Sequence, residues 1–182
     1  EARHPLLYLH HKAQGREIVP LTIEFAPEQR IVIISGPNAG GKSVCLQTVG
    51  LVQYMLQCGL PVPVKEGSRM GFFHNIFLDL GDEQSIENDL STYSSHLTNM
   101  KFFVRNADGR SLILIDEFGT GTEPMIGGAI AESVLEQLNR QGVFGVITTH
   151  YTNLKHFASQ TDGLVNGAMQ FDTDKLQPLF KL

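Results

Sequence analysis

The 182-residue sequence lacks any apolar run near the roughly 18 residues that span a bilayer, and it opens on no secretory signal pattern. A membrane-spanning role is excluded on that reading, and a cytoplasmic location is expected. Positive charge is also short: 14 basic against 19 acidic residues leave a net charge of −5. The basic residues are scattered, with nothing denser than the loose spacing from Lys12 to Arg16. A self-sufficient nucleic-acid binder shows a basic patch or stripe, so any DNA or RNA held by a parent protein falls to other domains. Cysteine is scarce too. Cys45 and Cys58 fall on one predicted helix, where thirteen residues span about 20 Å, beyond disulfide reach. Neither cysteine, nor the pair His10-His11, has partners at metal-ligand spacing, so no zinc site is expected. Internal repeats and low-complexity tracts are absent. What is present is ordinary, 42% apolar and 18% charged, enough for one globular domain. Because the chain opens on Glu1 and stops within an apparent strand, residues 1–182 read as a single domain excised from something larger.

Against that background one octapeptide stands out. Gly36-Pro37-Asn38-Ala39-Gly40-Gly41-Lys42-Ser43 follows the apolar run Ile31-Val32-Ile33-Ile34. It fits G-x-x-x-x-G-K-[ST], the loop that cradles phosphates between a buried strand and a helix. Glycines let backbone N–H groups turn inward around a triphosphate, where a side chain would block the approach. The phosphates then meet the N-terminus of the next helix, whose unpaired N–H groups and dipole favour anions. Lys42 is expected to reach the β- and γ-phosphates of ATP, and the Ser43 hydroxyl to coordinate Mg²⁺.

Two more strand ends carry chemistry. Leu112-Ile113-Leu114-Ile115 delivers Asp116-Glu117 at a carboxyl edge, where open α/β sheets bind their ligands. Asp116 is expected to assist the Mg²⁺ and Glu117 to polarise an attacking water. An acid in that adjacent position separates the chain from small GTPases and simple phosphate-loop kinases, and points to the ABC, SMC and MutS group of ATPases. Ile147-Thr148-Thr149 ends in His150, a candidate γ-phosphate sensor.

The coarse element pattern is α/β with a mostly parallel sheet. Residues 17–25 and 30–34 read as strands. A helix apolar on nearly every face runs 42–58 with Gly59 as its stop. A strand at 76–80, a helix at about 94–107, a buried strand at 112–115, a helix at 124–141 and a strand at 143–147 follow. The tail 164–182 reads as a hairpin around Asp172-Thr173-Asp174-Lys175.

In this order, G-P-N-x-G-G-K-[ST], S-T-[FY], D-E-x-G-x-G-T and T-T-H-Y resemble the MutS mismatch-repair family ATPase domain. The likeness starts at Ala2-Arg3-His4-Pro5-Leu6-Leu7 and covers nearly the whole chain. The segments Gly81-Asp82-Glu83-Gln84-Ser85-Ile86-Glu87, Leu90-Ser91-Thr92-Tyr93-Ser94-Ser95-His96-Leu97 and Gly119-Thr120-Gly121-Thr122-Glu123-Pro124 look like the bacterial paralogue branch, "MutS two", rather than mismatch-repair MutS proper.

That resemblance implies a phosphate-loop NTPase fold of the ABC/MutS type, a mostly parallel sheet flanked by helices with a C-terminal β-hairpin. It implies an ATPase that dimerises, each composite site taking the phosphate loop from one subunit and the S-T-[FY] segment, here with Ser91 and Ser94, from the other. It implies clamp loading on DNA through a separate region, and for the paralogue branch a link to recombination control and to rescue of stalled ribosomes. The sequence departs from the family in two places. Ser43 stands for the branch's usual Thr and keeps the hydroxyl. Where mismatch-repair MutS stacks an aromatic on adenine, this chain offers Arg16, Ile18 and Val19. Two rival readings differ in class. One is a nucleotide-dependent switch with negligible hydrolysis, against which Glu117 stands. The other is an ABC transporter domain, which needs L-S-G-G-Q where this chain has Ser91-Thr92-Tyr93-Ser94-Ser95.

Overall fold

The computed structural model describes residues 1–80, 89–173 and 175–182, with the backbone alone for residues 38 and 89–92. Contacts within the chain separate it into two compact units.

The larger unit, residues 25–35 and 73–167, is built on a sheet. Its strands are β1 (Ile31–Ser35), β2 (Asn75–Asp79), β3 (Ser111–Ile115), β4 (Phe144–Thr148) and β5 (Leu164–Ala168), in the spatial order β2-β3-β4-β1-β5. The β1–β4, β2–β3 and β3–β4 pairings are parallel. Both sheet faces are apolar: Val32, Ile34, Leu114 and Val146 are as buried as Ile33, Ile113 and Ile147. Burial on both faces is what a parallel sheet requires, and continuous apolar runs such as 112–115 encode it. On one face, Ile31, Ile33, Ile113, Ile115 and Ile147 form a core with three helices. These are α3 (Asp89–Asn106), α4 (Pro124–Arg140) and α5 (Thr152–Gln160). They supply Met100 and Phe103, Leu135 and Leu138, and Leu154 and Ala158 to that core.

The smaller unit, residues 1–24, 36–72 and 168–182, holds α1 (Pro5–Ala13), α2 (Lys42–Gln57) and the two-stranded ribbon of β6 (Phe171–Asp172) and β7 (Gln177–Pro178). Pro5 starts α1, and the His4 ring nitrogen Nδ1 accepts the Leu7 N–H at 3.3 Å as a cap. Among the described residues no helix is long and apolar enough to cross a membrane.

Several expectations need correction. Residues 17–25 form no strand. Only Leu21 pairs, exchanging backbone bonds with Ala2 at 2.7 and 2.8 Å. Pro20 lacks the N–H that a ladder needs at that point. The helix expected from about 94 begins earlier, at Asp89. The tail divides: 164–168 joins the main sheet, and only 171–172 and 177–178 make the hairpin. Residues 5–13 and 152–160 are helical although no element was expected there. The segment 81–87, part of the family likeness, and Asp174 of the expected turn lie outside the described residues.

Register explains one glycine. Gly145 on β4 lies between Ile31 of β1 and Ile113 of β3, and a Cβ on it would come within 2.6 Å of Ile113 Cγ1. Ile113 is fully buried. Gly145→Ala is therefore expected to cost about 1–3 kcal/mol through overpacking. A urea unfolding midpoint equal to that of the native chain would contradict the packing of Ile113 over this strand.

Candidate functional site

β1 ends at Ser35, and the chain passes directly into the glycine-rich loop. Gly36 sits at φ 142°, and a Cβ there would lie 2.9 Å from Met169 Cβ. A 3₁₀ turn over Asn38–Gly40 follows, closed by the Gly40 N–H donating to Pro37 O at 2.9 Å. Ala39 is exposed at its middle. Gly41 then caps α2 at φ 88°, ψ 21°, a left-handed conformation that a glycine adopts without the Cβ penalty. Cys45 is the first residue whose N–H bonds back into the helix, to Gly41 O at 2.9 Å. The amides ahead of it are the donors that a helix start leaves without intrahelical acceptors.

Lys42 is 3% exposed, and its Nζ donates to Gly36 O at 2.8 Å and to Pro37 O at 3.2 Å. The loop thus curls around an ammonium group belonging to its own helix. Ser43, next on that helix, is half-buried. Beneath the loop, the Cys45 thiol lies 3.6 Å from Met169 Sδ, and burial pushes its pKa up to about 11. It stays a protonated thiol at neutral pH.

A cavity of about 330 Å³ adjoins the loop within the same unit. Ile18, Val19, Val44 and Met169 give it apolar walls, Gly41 and Phe180 stand beside the loop, and His11 lines it. Phe180 approaches closely: a Cβ on Gly41 would be 3.1 Å from its ring. The His11 Nδ1 is buried with no hydrogen-bond partner among the described residues.

In the sheet-bearing unit, β1, β3 and β4 run parallel with Ile34 beside Thr148 and Ile115 beside Ile147, so their carboxyl ends share one edge. There the structure brings Asp116 and Glu117 together around a side chain that carries no expectation from sequence. The Thr148 hydroxyl, fully buried, donates to Asp116 Oδ1 and accepts the Glu117 N–H at 2.8 Å. Asp116 is itself buried. Glu117 has φ 50°, unusual for a residue with a side chain, and such strain clusters at functional sites. The bonds around it hold that geometry. Besides its amide bond to Thr148, its carbonyl accepts the Thr120 N–H at 3.1 Å and the Thr120 hydroxyl at 2.8 Å.

His150 follows two residues after Thr148 and is exposed, without the buried fixing that Asp116 has. Its neighbours in the motif have packing roles. Thr149 donates its hydroxyl to Phe118 O at 3.0 Å. The Tyr151 ring covers Gly119, where a Cβ would come within 2.7 Å of it. Ser94 is exposed on α3, inside the helix rather than ahead of it, and its carbonyl accepts the Thr98 hydroxyl at 2.8 Å. Ser91 is also helical, so residues 91–95 lie within α3 rather than ahead of it. Among the described residues no three His, Cys, Asp or Glu side chains cluster as a preformed metal cage.

A parallel sheet buried on both faces, whose central strands end in acids and hydroxyls on one edge, defines an α/β domain with its polar groups at the carboxyl ends of its strands. The chain belongs to the MutS family: the family model described as MutS domain V matches residues 32–181. Curated relatives extend the likeness to the full chain. It is 46% identical over 182 residues to Endonuclease MutS2 of Clostridium kluyveri and of Enterococcus faecalis, and 44% identical to that of Clostridium botulinum. Each of these relatives is named a MutS2 protein. All 182 residues are matched, and they span 22% of each relative.

Thr148 could have been singled out from sequence by one signal, a hydroxyl residue at the last position of a buried strand. Thr148→Val keeps the shape and removes the hydroxyl. It is expected to cost about 1–3 kcal/mol, since the buried Asp116 carboxylate loses its donor and the half-buried Glu117 amide its acceptor. Thr148→Ser should retain most of the native stability in the same thermal melt. Equal losses in both variants would mean that the methyl group, not the hydroxyl, is what matters.

Proposed function

We propose that this chain is the ATP-binding and ATP-hydrolysing domain of a MutS-type clamp that acts in DNA repair or recombination. The observation that carries the reading is the Thr148-held pair, a buried Asp116 beside a Glu117 in left-handed backbone geometry. A solvated strand end needs neither the buried hydroxyl nor the strain.

Residues 36–43 bind the phosphates through backbone N–H groups and the Lys42 ammonium, which trades its carbonyl partners for phosphate oxygens. The cavity lined by Ile18, Val19 and Phe180 suits an apolar heterocycle, with the unpartnered His11 Nδ1 as a polar contact for the base edge. This supplies the base site for which the sequence offered no aromatic ahead of β1. The donor set fits Mg²⁺, which takes hard oxygen ligands and keeps several waters. The Ser43 hydroxyl and Asp116 are the groups to hold it, and Asp116 Oδ1 is already oriented by Thr148. When bound, Mg²⁺ neutralises charge on the β- and γ-oxygens. Glu117 accepts a proton from the attacking water, and the exposed His150 senses the γ-phosphate.

Ser91 and Ser94 act on the triphosphate of a second copy. With α3 extending back to Asp89, they act from within a helix rather than from the segment ahead of it. Cytoplasmic location, homodimerisation and contact with DNA through other domains complete the proposal. An engine for a ribosome-rescue factor is the alternative output of the same hydrolysis, and a nucleotide switch with negligible turnover is disfavoured by Glu117.

Lys42→Ala is expected to abolish ATP binding with the fold intact; unchanged affinity in a calorimetric titration would remove Lys42 from the site. Glu117→Gln should keep ATP binding and lose hydrolysis by roughly 10²-fold or more. Turnover at the native rate in a phosphate-release assay would transfer the base role to His150. For the trans assignment, a Lys42→Ala chain is mixed with a Ser91→Ala, Ser94→Ala chain, both as full-length gene products. Each alone is inactive, and the mixed dimer recovers part of the activity. No recovery despite proven mixed dimers would show that the serines serve their own subunit.

A further inference from the structure

A third carboxylate lies at the end of β2, and the chemistry above makes no use of it. Asp79 is 5% exposed. Both of its oxygens point to α3: His96 Nδ1 lies 2.6 Å from Oδ2, and Asn99 Nδ2 donates to Oδ1 at 2.8 Å. At the same residue the backbone faces the other way. Asp79 pairs in register with Ile115, and its carbonyl accepts the Asp116 N–H at 2.8 Å. One residue therefore holds α3 with its side chain and the acid-bearing strand with its main chain. A second contact closes the loop: a Cβ on Gly121, in the turn after Glu117, would be 3.2 Å from Tyr93 Cβ on α3.

We infer that His96 and Asn99 are positioning residues that couple α3 to Asp116 and Glu117 through Asp79. A buried carboxylate is tolerated only while it is hydrogen-bonded, and His96 and Asn99 both sit on α3. When α3 shifts, Asp79 must follow or be left unpaired in a dry site, so the end of β2 moves with the helix. The Asp79 carbonyl then carries the shift to the Asp116 amide, one residue from Glu117. Because Ser94 lies two residues before His96, contact made at the exposed side of α3 changes the geometry of the acid pair. The coupling uses a contiguous set of hydrogen bonds, each with its own test.

This inference rests on the ATPase reading for its kinetic consequence, but not for its structural one. The test uses the full-length gene product with His96→Ala, His96→Asn and Asn99→Ala. Backbone amide exchange at Asp116 is followed against Val146 on β4 as an internal reference, and kcat and KM for ATP are measured alongside. His96→Ala is expected to speed exchange at Asp116 by roughly tenfold or more with Val146 unchanged. It lowers kcat by roughly tenfold while KM stays within about twofold, as expected for a misplaced catalytic group. His96→Asn puts an amide N–H where Nδ1 stood and recovers most of both. If His96→Ala does not fold, Asn99→Ala removes one of the two bonds and is read in the same way. Unchanged exchange at Asp116, or loss in the Asn variant equal to that in the Ala variant, overturns the coupling. A native protein without ATP turnover defeats the functional reading alone, because amide exchange still decides whether Asp79 transmits the shift.

Discussion

The position of β4 between β1 and β3 is the constraint on which the sheet-bearing unit depends. With Ile147 flanked by Ile33 and Ile115, the next residue along β4 is Thr148, and it falls beside the acid that ends β3. A slip of one residue would bring Thr149 into that place and turn the side chain to the opposite face. The register is held by apolar fit. Ile113 fills the space over Gly145, and Ile33, Ile115 and Ile147 enter one core with the three helices. Polar chemistry at the edge is thus positioned by close packing within the sheet.

The polar groups at that edge are arranged in shared bonds rather than isolated pairs. Thr148 serves both a carboxylate and an amide, Thr120 meets one carbonyl with both its donors, and Asp79 divides its side chain and main chain between a helix and a strand. Buried polar networks of this kind rigidify when every member is satisfied. That rigidity offsets the unfavourable backbone conformation of Glu117, which no local preference of glutamate would produce.

Much of this was legible in the sequence, and the reasons differ from element to element. The strands 31–35, 111–115 and 144–148 are short apolar runs bounded by polar residues, and such runs are written in composition. The helix 124–140 shows Pro at its start and Gly142 at its stop. The start of α3 was misplaced because its first turns carry few apolar residues, and periodicity counted from Leu97 misses them. Residues 17–25 misled for the opposite reason, since they are rich in strand formers yet have no ladder to join. In the site, Gly41, Lys42, Asp116 and Glu117 stand in a motif that spacing alone reveals. Thr148 and Asp79 do not, because their roles come from hydrogen bonds between residues about 32 and 17 to 37 positions apart, and no local pattern records such a distance.

Lys42 adds a consequence for ligand choice. Its ammonium donates to two backbone carbonyls of the loop, and it is shut off from water. On the proposed reading, capture of an anion by this lysine is an exchange of partners. A ligand must offer at least as many well-placed oxygens as the loop gives up. A polyphosphate does so with oxygens to spare, whereas a single phosphate sitting on the helix start alone leaves the ammonium with its carbonyls. On the proposed ATP-binding reading, the loop's own backbone thereby favours a chain of phosphates over a single one before any base is read.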